Sequence, residues 1–307
     1  MTQELDRLPN RIVNTPSGPL RIQALTTMPE MKEVVRLEEE IWGYGRPGSD
    51  APYPARALFA FSESGGLVAG AFSADRLVAF AAGWQGVERE SEMRYLHSQL
   101  VGVLTTHRHL GIGFQLKLYQ RDYAILTGLD LVKWTFDPLL STNANLNLRK
   151  LGAVVRVYAP SYYGDLQSQF TGGLASDRVW VSWYVRSRRV QDRLSSHPSP
   201  PSEPGLPSVT KIETVSTSEP GLVSLVDYEL GRSDPRLLLE IPADFGSIRT
   251  QDLSLALDWQ TKIRSIYLHY FGRGYIASDF FIFPGQRTRT FYLLTCSPLD
   301  QILESEH

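Results

Sequence analysis

The sequence predicts a mixed α/β protein whose fourth strand runs directly into a glycine turn and a helix. Three observations predict it. Short β-rich runs and stretches of helical spacing follow one another from Leu20 to Val185. Gly111 and Gly113 stand where an extended run stops and a helical one starts. A proline- and serine-rich stretch then separates this region from a second, smaller α/β region.

Each element has a local reason. Leu20 to Leu25 is a short strand. Thr27-Met28-Pro29-Glu30 is a capping-box pattern with proline in the first turn, so a helix starts there. Met31, Val34, Val35, Leu37 and Ile41 supply its apolar side, with Leu37 fitting imperfectly, and Trp42 to Gly48 ends it as a loop. Leu67 to Phe72 and Leu77 to Trp84, either side of Ser73-Ala74-Asp75-Arg76, are two antiparallel strands, and Ser98 to Leu104 is the fourth strand. Ile112, Leu116, Tyr119, Tyr123 and Leu126 step by four, three, four and three, the spacing of one helical face, and Gly128 closes that helix. Leu131 to Phe136 is a strand, and Asn143 to Leu151 is a short helix stopped by Gly152. Val154 to Tyr158 and Arg178 to Val185 are the last strands of this region.

Ser195 to Ser208 contains five prolines and almost no apolar residues, so an extended linker is expected, with Arg186, Arg188, Arg189 and Arg193 as its solvated flank. The expected organisation is a first domain over residues 1–190, a linker over 191–208 and a second domain over 209–307. In the last, Val209 to Val215 and Leu237 to Ile241 are strands, and Asp252 to Tyr270 is a helix with Trp259, Ile263, Ile266, Tyr267 and Tyr270 on its apolar side. Tyr275 to Phe283 and Thr288 to Thr295 form a hairpin around Pro284 to Arg287. Strand, helix, strand, strand is also the order of the first domain's second half, which leaves a degenerate half-repeat open. Packing on the first domain, covering an acceptor site or forming a homodimer are the other roles open to it.

Bulk properties exclude some partners. The net charge of −2 gives no basic field to gather nucleic acid or anionic lipid. The single cysteine, Cys296, makes no internal disulfide and fits a reducing cytoplasm. Met1 to Asn10 lacks the apolar core of a signal peptide, and no run approaches the ~20 apolar residues of a membrane span. The expectation is a soluble, cytoplasmic protein without nucleic-acid or membrane partners. Neither a His/Cys cluster with metal spacing nor a Gly-x-Ser-x-Gly elbow occurs.

The glycine turn carries the chemistry. The first amides of a helix have no internal partner, and aligned peptide dipoles leave roughly half a positive charge there. Gly111 and Gly113 allow a phosphate close to the backbone, and Arg108 adds charge, so the turn suits a pyrophosphate. A dinucleotide-binding fingerprint would need a third glycine where Leu116 stands, and no Gly-Lys-Ser/Thr of a phosphate-binding loop occurs. What remains is Arg108-x-x-Gly111-x-Gly113 after a strand ending Val101-Gly102-Val103, with a tight turn that merely contains glycines as the plain alternative.

This pattern resembles the main cofactor motif of the GNAT superfamily of N-acetyltransferases, Gln/Arg-x-x-Gly-x-Gly/Ala after the fourth strand. The resemblance covers about residues 20 to 185, and Asn143 to Ala153 looks like the family's second motif. The chain is most similar to a branch with an added C-terminal region. The resemblance implies a GNAT-like, mostly antiparallel central sheet flanked by helices. Acetyl-CoA is the implied co-substrate, no metal is implied, and the amine of a small-molecule acceptor attacks the thioester directly. It places the pantetheine against the backbone of Val101 and Val103, and the pyrophosphate on the amides of His109, Leu110, Gly111, Ile112 and Gly113 beside Arg108. Asn143 and Asn147 are implied polar contacts to cofactor or backbone.

For the catalytic groups, the acid tyrosine of the second motif falls at Leu148, a departure that leaves Tyr158, Tyr162 and Tyr163 as candidates, Tyr163 foremost. Ordinary strand and loop tyrosines are the alternative. His97 is the candidate base because its unperturbed pKa suits neutral pH, against a packed core histidine. Asp137 is the competing base, against a cap for the turn at Pro138. Trp42, Tyr44, Trp84 and Trp134 are candidates to line the acceptor pocket. The reading of a different class is a non-catalytic acyl-CoA sensor on the same fold.

Overall fold

The computed structural model describes residues 5, 7–44, 51–89, 91–164, 173–196, 209–217 and 222–304. The end of the expected first-helix loop, 45–48, and the linker stretch 197–208 lie outside them. The chain divides into two compact units, Met1–Trp134 and Thr135–His307.

The first unit contains β1 (Arg11–Thr15), β2 (Gly18–Ala24), α1 (Met28–Trp42), α2 (Ala55–Glu63), β3 (Leu67–Ser73), β4 (Arg76–Val87) and β5 (Arg94–Val103). A 3-10 turn (Thr105–His107), α3 (Ile112–Leu126) and β6 (Leu131–Phe136) follow, the last strand crossing the boundary. The strands line up in chain order, antiparallel from β1 to β5, with β6 parallel to β5. Val68, Ala69, Ala71 and Val78 to Ala82 are fully buried. A near-continuous small and branched run of this kind suits strands covered on both faces. Helices α1 and α2 pack on β3 to β5, and α3 packs on the same three strands.

In the first unit, β1 and α2 escaped the sequence patterns. β1 is an edge strand of half-exposed residues, with Ile12 63% exposed, so it carries no clear apolar period. α2 starts after Pro54 without a side-chain cap and buries only Leu58 and Ser62. The strand expected from Ser98 begins earlier, at Arg94. Leu126, expected on the apolar face of α3, is 39% exposed as the last residue of the helix.

Helix α1 starts as its sequence indicates. The Thr27 hydroxyl accepts from the Glu30 amide, the Glu30 carboxylate accepts from the Thr27 amide, and Gly43 closes the helix at φ +70. Thr27→Ala should therefore cost about 1 kcal/mol, read as a lower urea midpoint at unchanged slope.

The second unit contains α4 (Ser141–Ala144), which continues as a π-helical turn (Asn145–Lys150), then β7 (Val154–Ala159), β8 (Arg178–Tyr184) and α5 (Arg188–Ser196). After the linker come β9 (Thr210–Lys211), β10 (Glu213–Thr217), β11 (Val223–Tyr228) and β12 (Arg236–Ile241). Helices α6 (Phe245–Gln251) and α7 (Leu253–Gly272), strands β13 (Ile276–Phe283) and β14 (Arg289–Thr295), and α8 (Leu299–Glu304) complete it. Its sheet has the order β8-β7-β13-β14-β12-β9, antiparallel except at β9, and β10 pairs with β11 in a separate hairpin. The architecture is the expected mixed, mostly antiparallel α/β fold flanked by helices.

Two expectations here need correction. The arginines before the linker are not all a solvated flank: Arg189 and Arg193 are 0% and 2% exposed. Residues 188–196 are helical, and the guanidinium groups turn inward. Arg189 donates to the carbonyls of Gly152 and Ser278, and Arg193 donates to the Arg149 carbonyl and pairs with Asp279 of β13. Arg149 pairs with the same carboxylate at 3.1 Å. Likewise the strand expected over Val209 to Val215 is broken at Ile212 into β9 and β10.

Candidate functional site

The end of β5 and the start of α3 form one continuous piece of the first unit. A β-bulge opposite Ala82 and Gly83 leaves Gln99 as the extra residue in β5, re-aiming the side chains around it. On its other edge β5 pairs with β6 only at Leu96↔Val132 and His97↔Lys133. The backbone edge from Ser98 to Val103 therefore has no further strand partner among the described residues. Val101 and Val103 lie in that stretch.

The chain then turns. His109 adopts φ +65 and Gly111 φ +76, two left-handed residues in close succession. Gly111 is the N-cap of α3, no side chain caps the helix, and its carbonyl receives the Gln115 amide at 3.1 Å. The amides of Gly111, Ile112, Gly113 and Phe114 donate to nothing among the described residues. A Cβ built on Gly111 or on Gly113 would meet nothing within 4 Å, so open space lies over both. Arg108, His109 and Gly111 are exposed, and the Arg108 guanidinium lies within 3.4 Å of the Val103 carbonyl. An anion fits this corner: free donors, the positive end of a helix dipole and no obstructing side chain.

His97 lies on β5, 8% exposed, with Nε2 2.8 Å from Gln99 Oε1 and its ring 5.0 Å from Trp84 and 6.4 Å from Tyr95. Burial lowers its pKa, the charges of Lys117 and Lys133 lower it further, and the Gln99 contact opposes them. The imidazole is thus held neutral. Because its folded pKa is depressed, the unfolded chain binds the proton first, and stability falls as pH drops below the ordinary value of 6.5. His97→Gln should flatten that acid-side fall, measured as thermal midpoint between about pH 7.5 and 5.

Asp137, Asn143 and Tyr163 belong to the second unit. Asp137 is half-buried by exposure, its Oδ1 accepts the Leu139 amide at 2.9 Å, and loss of solvent around the carboxyl raises its pKa. The Asp137 cap is therefore real, whatever else the carboxyl does. Tyr163 is 41% exposed, its ring 4.7 Å from that of Tyr162 and 5.4 Å from the Arg178 guanidinium. Arg178 is also one of the charges acting on Asp137, so the two candidates share a neighbour. Asn143 is half-buried, and its amide donates to the Leu140 carbonyl. The second-motif segment widens into a π turn, with the Leu151 amide reaching back to Leu146, and Leu148 is fully buried within it.

Of the aromatic candidates, Trp42 lies 5.6 Å from both Tyr44 and Phe80, and Trp84 lies 4.6 Å from Phe61. Trp134 instead is buried, its ring 3.5 Å beneath Lys117 Nζ.

Sequence reasoning missed four buried polar groups of the first unit. Lys117 donates to Ser98 Oγ at 2.8 Å, Ser98 donates to Gln120 at 2.8 Å, and burial holds Lys117 well below the ordinary lysine range. Glu38 is 0% exposed on α1. A signal existed: Glu38 follows Met31 by seven residues and Val34 by four, on the apolar stripe itself. The imperfect fit of Leu37 pointed to the same place.

Among the described residues no helix is long and apolar enough to cross a membrane. No family model and no curated protein matches this chain. Solved structures do. The ribosomal-protein-S18-alanine N-acetyltransferase from Escherichia coli is 14% identical over 54% of this chain and 94% of its own, with a TM-score of 0.43. The Salmonella typhimurium protein yncA, solved with its cofactor acetyl-CoA, matches with the same identity, coverage and TM-score. An acetyltransferase of the GNAT family from Streptococcus pneumoniae is 13% identical over 53% of this chain and 98% of its own, at 0.43. The solved structures to which this chain is similar over about half its length are acetyltransferases, the one from Streptococcus pneumoniae being of the GNAT family.

Proposed function

We propose that the chain is an acetyl-CoA-dependent N-acyltransferase that moves an acetyl group to the amine of a small-molecule acceptor by direct attack. The single observation that carries this reading is the open corner at Gly111 and Gly113, with four helix-start amides left without partners. Those amides and their neighbours from His109 onward would take the pyrophosphate, with Arg108 adding charge. The unpaired edge of β5 at Val101 and Val103 would take the amide groups of the pantetheine arm, and Asn143 would add a polar contact.

In the transfer, the acceptor nitrogen forms a bond to the thioester carbonyl carbon and the carbon–sulfur bond breaks. The nitrogen must be neutral to attack and must shed a proton afterwards. His97, kept neutral by burial, is the proposed proton acceptor. Asp137 is the competing one, and Tyr163 is the proposed donor to the leaving thiolate. The transferase region we assign is residues 1–190, with residues 209–307 as a C-terminal region that pairs with it through β7 and β13, and the reducing cytoplasm as its place.

A non-catalytic acyl-CoA sensor is the second reading, and one observation favours it: Leu148, where an acid would be expected, is a fully buried apolar residue. Calorimetric titration with acetyl-CoA tests the binding that both readings share, with Gly113→Asp as the control. Equal binding by both proteins would end both readings. Thiol release across an amine panel separates them, since tight binding without release selects the sensor.

A further inference from the structure

A carboxylate without a full set of partners lies inside the first unit. Glu38 is 0% exposed; its Oε2 accepts the Tyr53 amide at 3.2 Å, and its Oε1 is buried with no hydrogen-bond partner among the described residues. An oxygen in that condition destabilises the fold, and a leucine there would be the cheaper choice for a helix stripe. Aromatic residues stand near it in the sequence and beside the backbone that holds it. Trp42 lies one turn along the same face of α1, and its ring packs on Tyr44 at 5.6 Å. On the other side, Tyr53, whose amide holds Oε2, packs on Phe61 at 6.2 Å. Phe61 in turn reaches Trp84, and Trp84 reaches His97 at 5.0 Å. Trp42, Tyr44, Tyr53, Phe61 and Trp84 are all only half-buried, so solvent still touches each of these rings.

A carboxylate among π-faces is the chemistry that receives an organic cation: the rings attract it through their quadrupoles and the carboxylate takes its N–H donors. We propose that Glu38 receives the ammonium group of the acceptor through its free oxygen, which makes the acceptor a small aromatic or apolar compound bearing a cationic amine. This rests on the transferase reading and names the substrate class it leaves open. Burial raises the Glu38 pKa to about 7, the condition of a carboxyl lacking a cationic partner. Glu38 is a binding residue here, and the proton lost on transfer does not pass to it.

The test uses the full chain and follows intrinsic tryptophan fluorescence, which Trp42 and Trp84 should report, during titration with phenethylamine and, separately, with neutral 2-phenylethanol. The expected result is a saturable response to the amine and none to the alcohol at equal concentration. Glu38→Gln should bind the amine about 10- to 100-fold more weakly. Its acetyl-CoA affinity by calorimetry should stay unchanged, and its thermal midpoint should be equal or higher. Glu38→Leu should lose the amine response while melting no earlier than the parent. An equal response to amine and alcohol, no response to either, or full amine affinity in Glu38→Gln overturns the proposal. So does early melting of both variants, because the carboxyl would then be a structural post for Tyr53. Loss of acetyl-CoA binding by the unsubstituted chain is a separate reading, and it strikes the transferase assignment instead.

Discussion

Asp279→Ala is expected to lose about 3–5 kcal/mol of stability, enough to unfold the second unit at moderate urea concentration. The carboxylate side chain is 7% exposed and is shared by the side chains of Arg193, 1% exposed, and Arg149, 13% exposed. A third guanidinium, Arg189, is buried beside them, and burial pulls its pKa down to about 10, with the Asp279 charge opposing. Removing this negative charge would take from buried Arg189 and Arg193, and from half-buried Arg149, the carboxylate that offsets them. A charge left without its partner costs far more than the pair contributes when intact. Asp279→Asn keeps the shape and some hydrogen bonding, so it should fall between the parent and Asp279→Ala. The same reasoning applies to cutting the chain after Ser196. That fragment would keep all three arginines yet lose Asp279 and the β13 strand that pairs with β7 at Ala277↔Val155. It should be recovered insoluble or without a cooperative transition. A soluble fragment with a sharp transition, or an Asp279→Ala midpoint within error of the parent, would contradict this account.

Gly113→Asp is expected to move stability and cofactor binding in opposite directions. Position 113 is in the first turn of α3, and its φ is not in the left-handed region, so an L side chain is allowed there. The new Cβ meets nothing within 4 Å. Exchanging glycine for a residue of lower chain entropy, with a negative charge at the positive end of the helix, should stabilise by a few tenths to about 1 kcal/mol. The same carboxylate would stand where we place a diphosphate. Like charges about 4 Å apart in partly screened surroundings repel by roughly 1–4 kcal/mol, which corresponds to about 5- to 1,000-fold weaker binding. Calorimetry with acetyl-CoA and a thermal melt on the same sample check both halves. Gly111→Asp is the less clean variant, because φ +76 adds backbone strain to any loss of affinity.

The parts of this protein legible in its sequence are those whose cause is local. The Thr27–Glu30 cap, the Gly43 and Gly152 stops, the step pattern of α3 and the strand-to-turn passage at Val103 all depend on residues within a few positions of one another. Short-range sterics, capping and the period of burial are written in neighbouring residues, so reading them needs no partner from elsewhere. The open turn at Gly111 and Gly113 belongs to this class, since it is built from backbone amides and glycines in one short stretch. The tertiary structure alone decided what the buried charges do. Arg189 and Arg193 look like a solvated flank until Asp279, 86 residues beyond Arg193, is brought to them by the pairing of β13 with β7. The spacing of Glu38 puts its carboxyl on the apolar stripe of α1, but only the fold shows Tyr53 closing over one of its oxygens. The difference has one physical reason. A charged side chain is stable either in water or against a specific partner. Which of the two holds depends on long-range packing that no local pattern encodes.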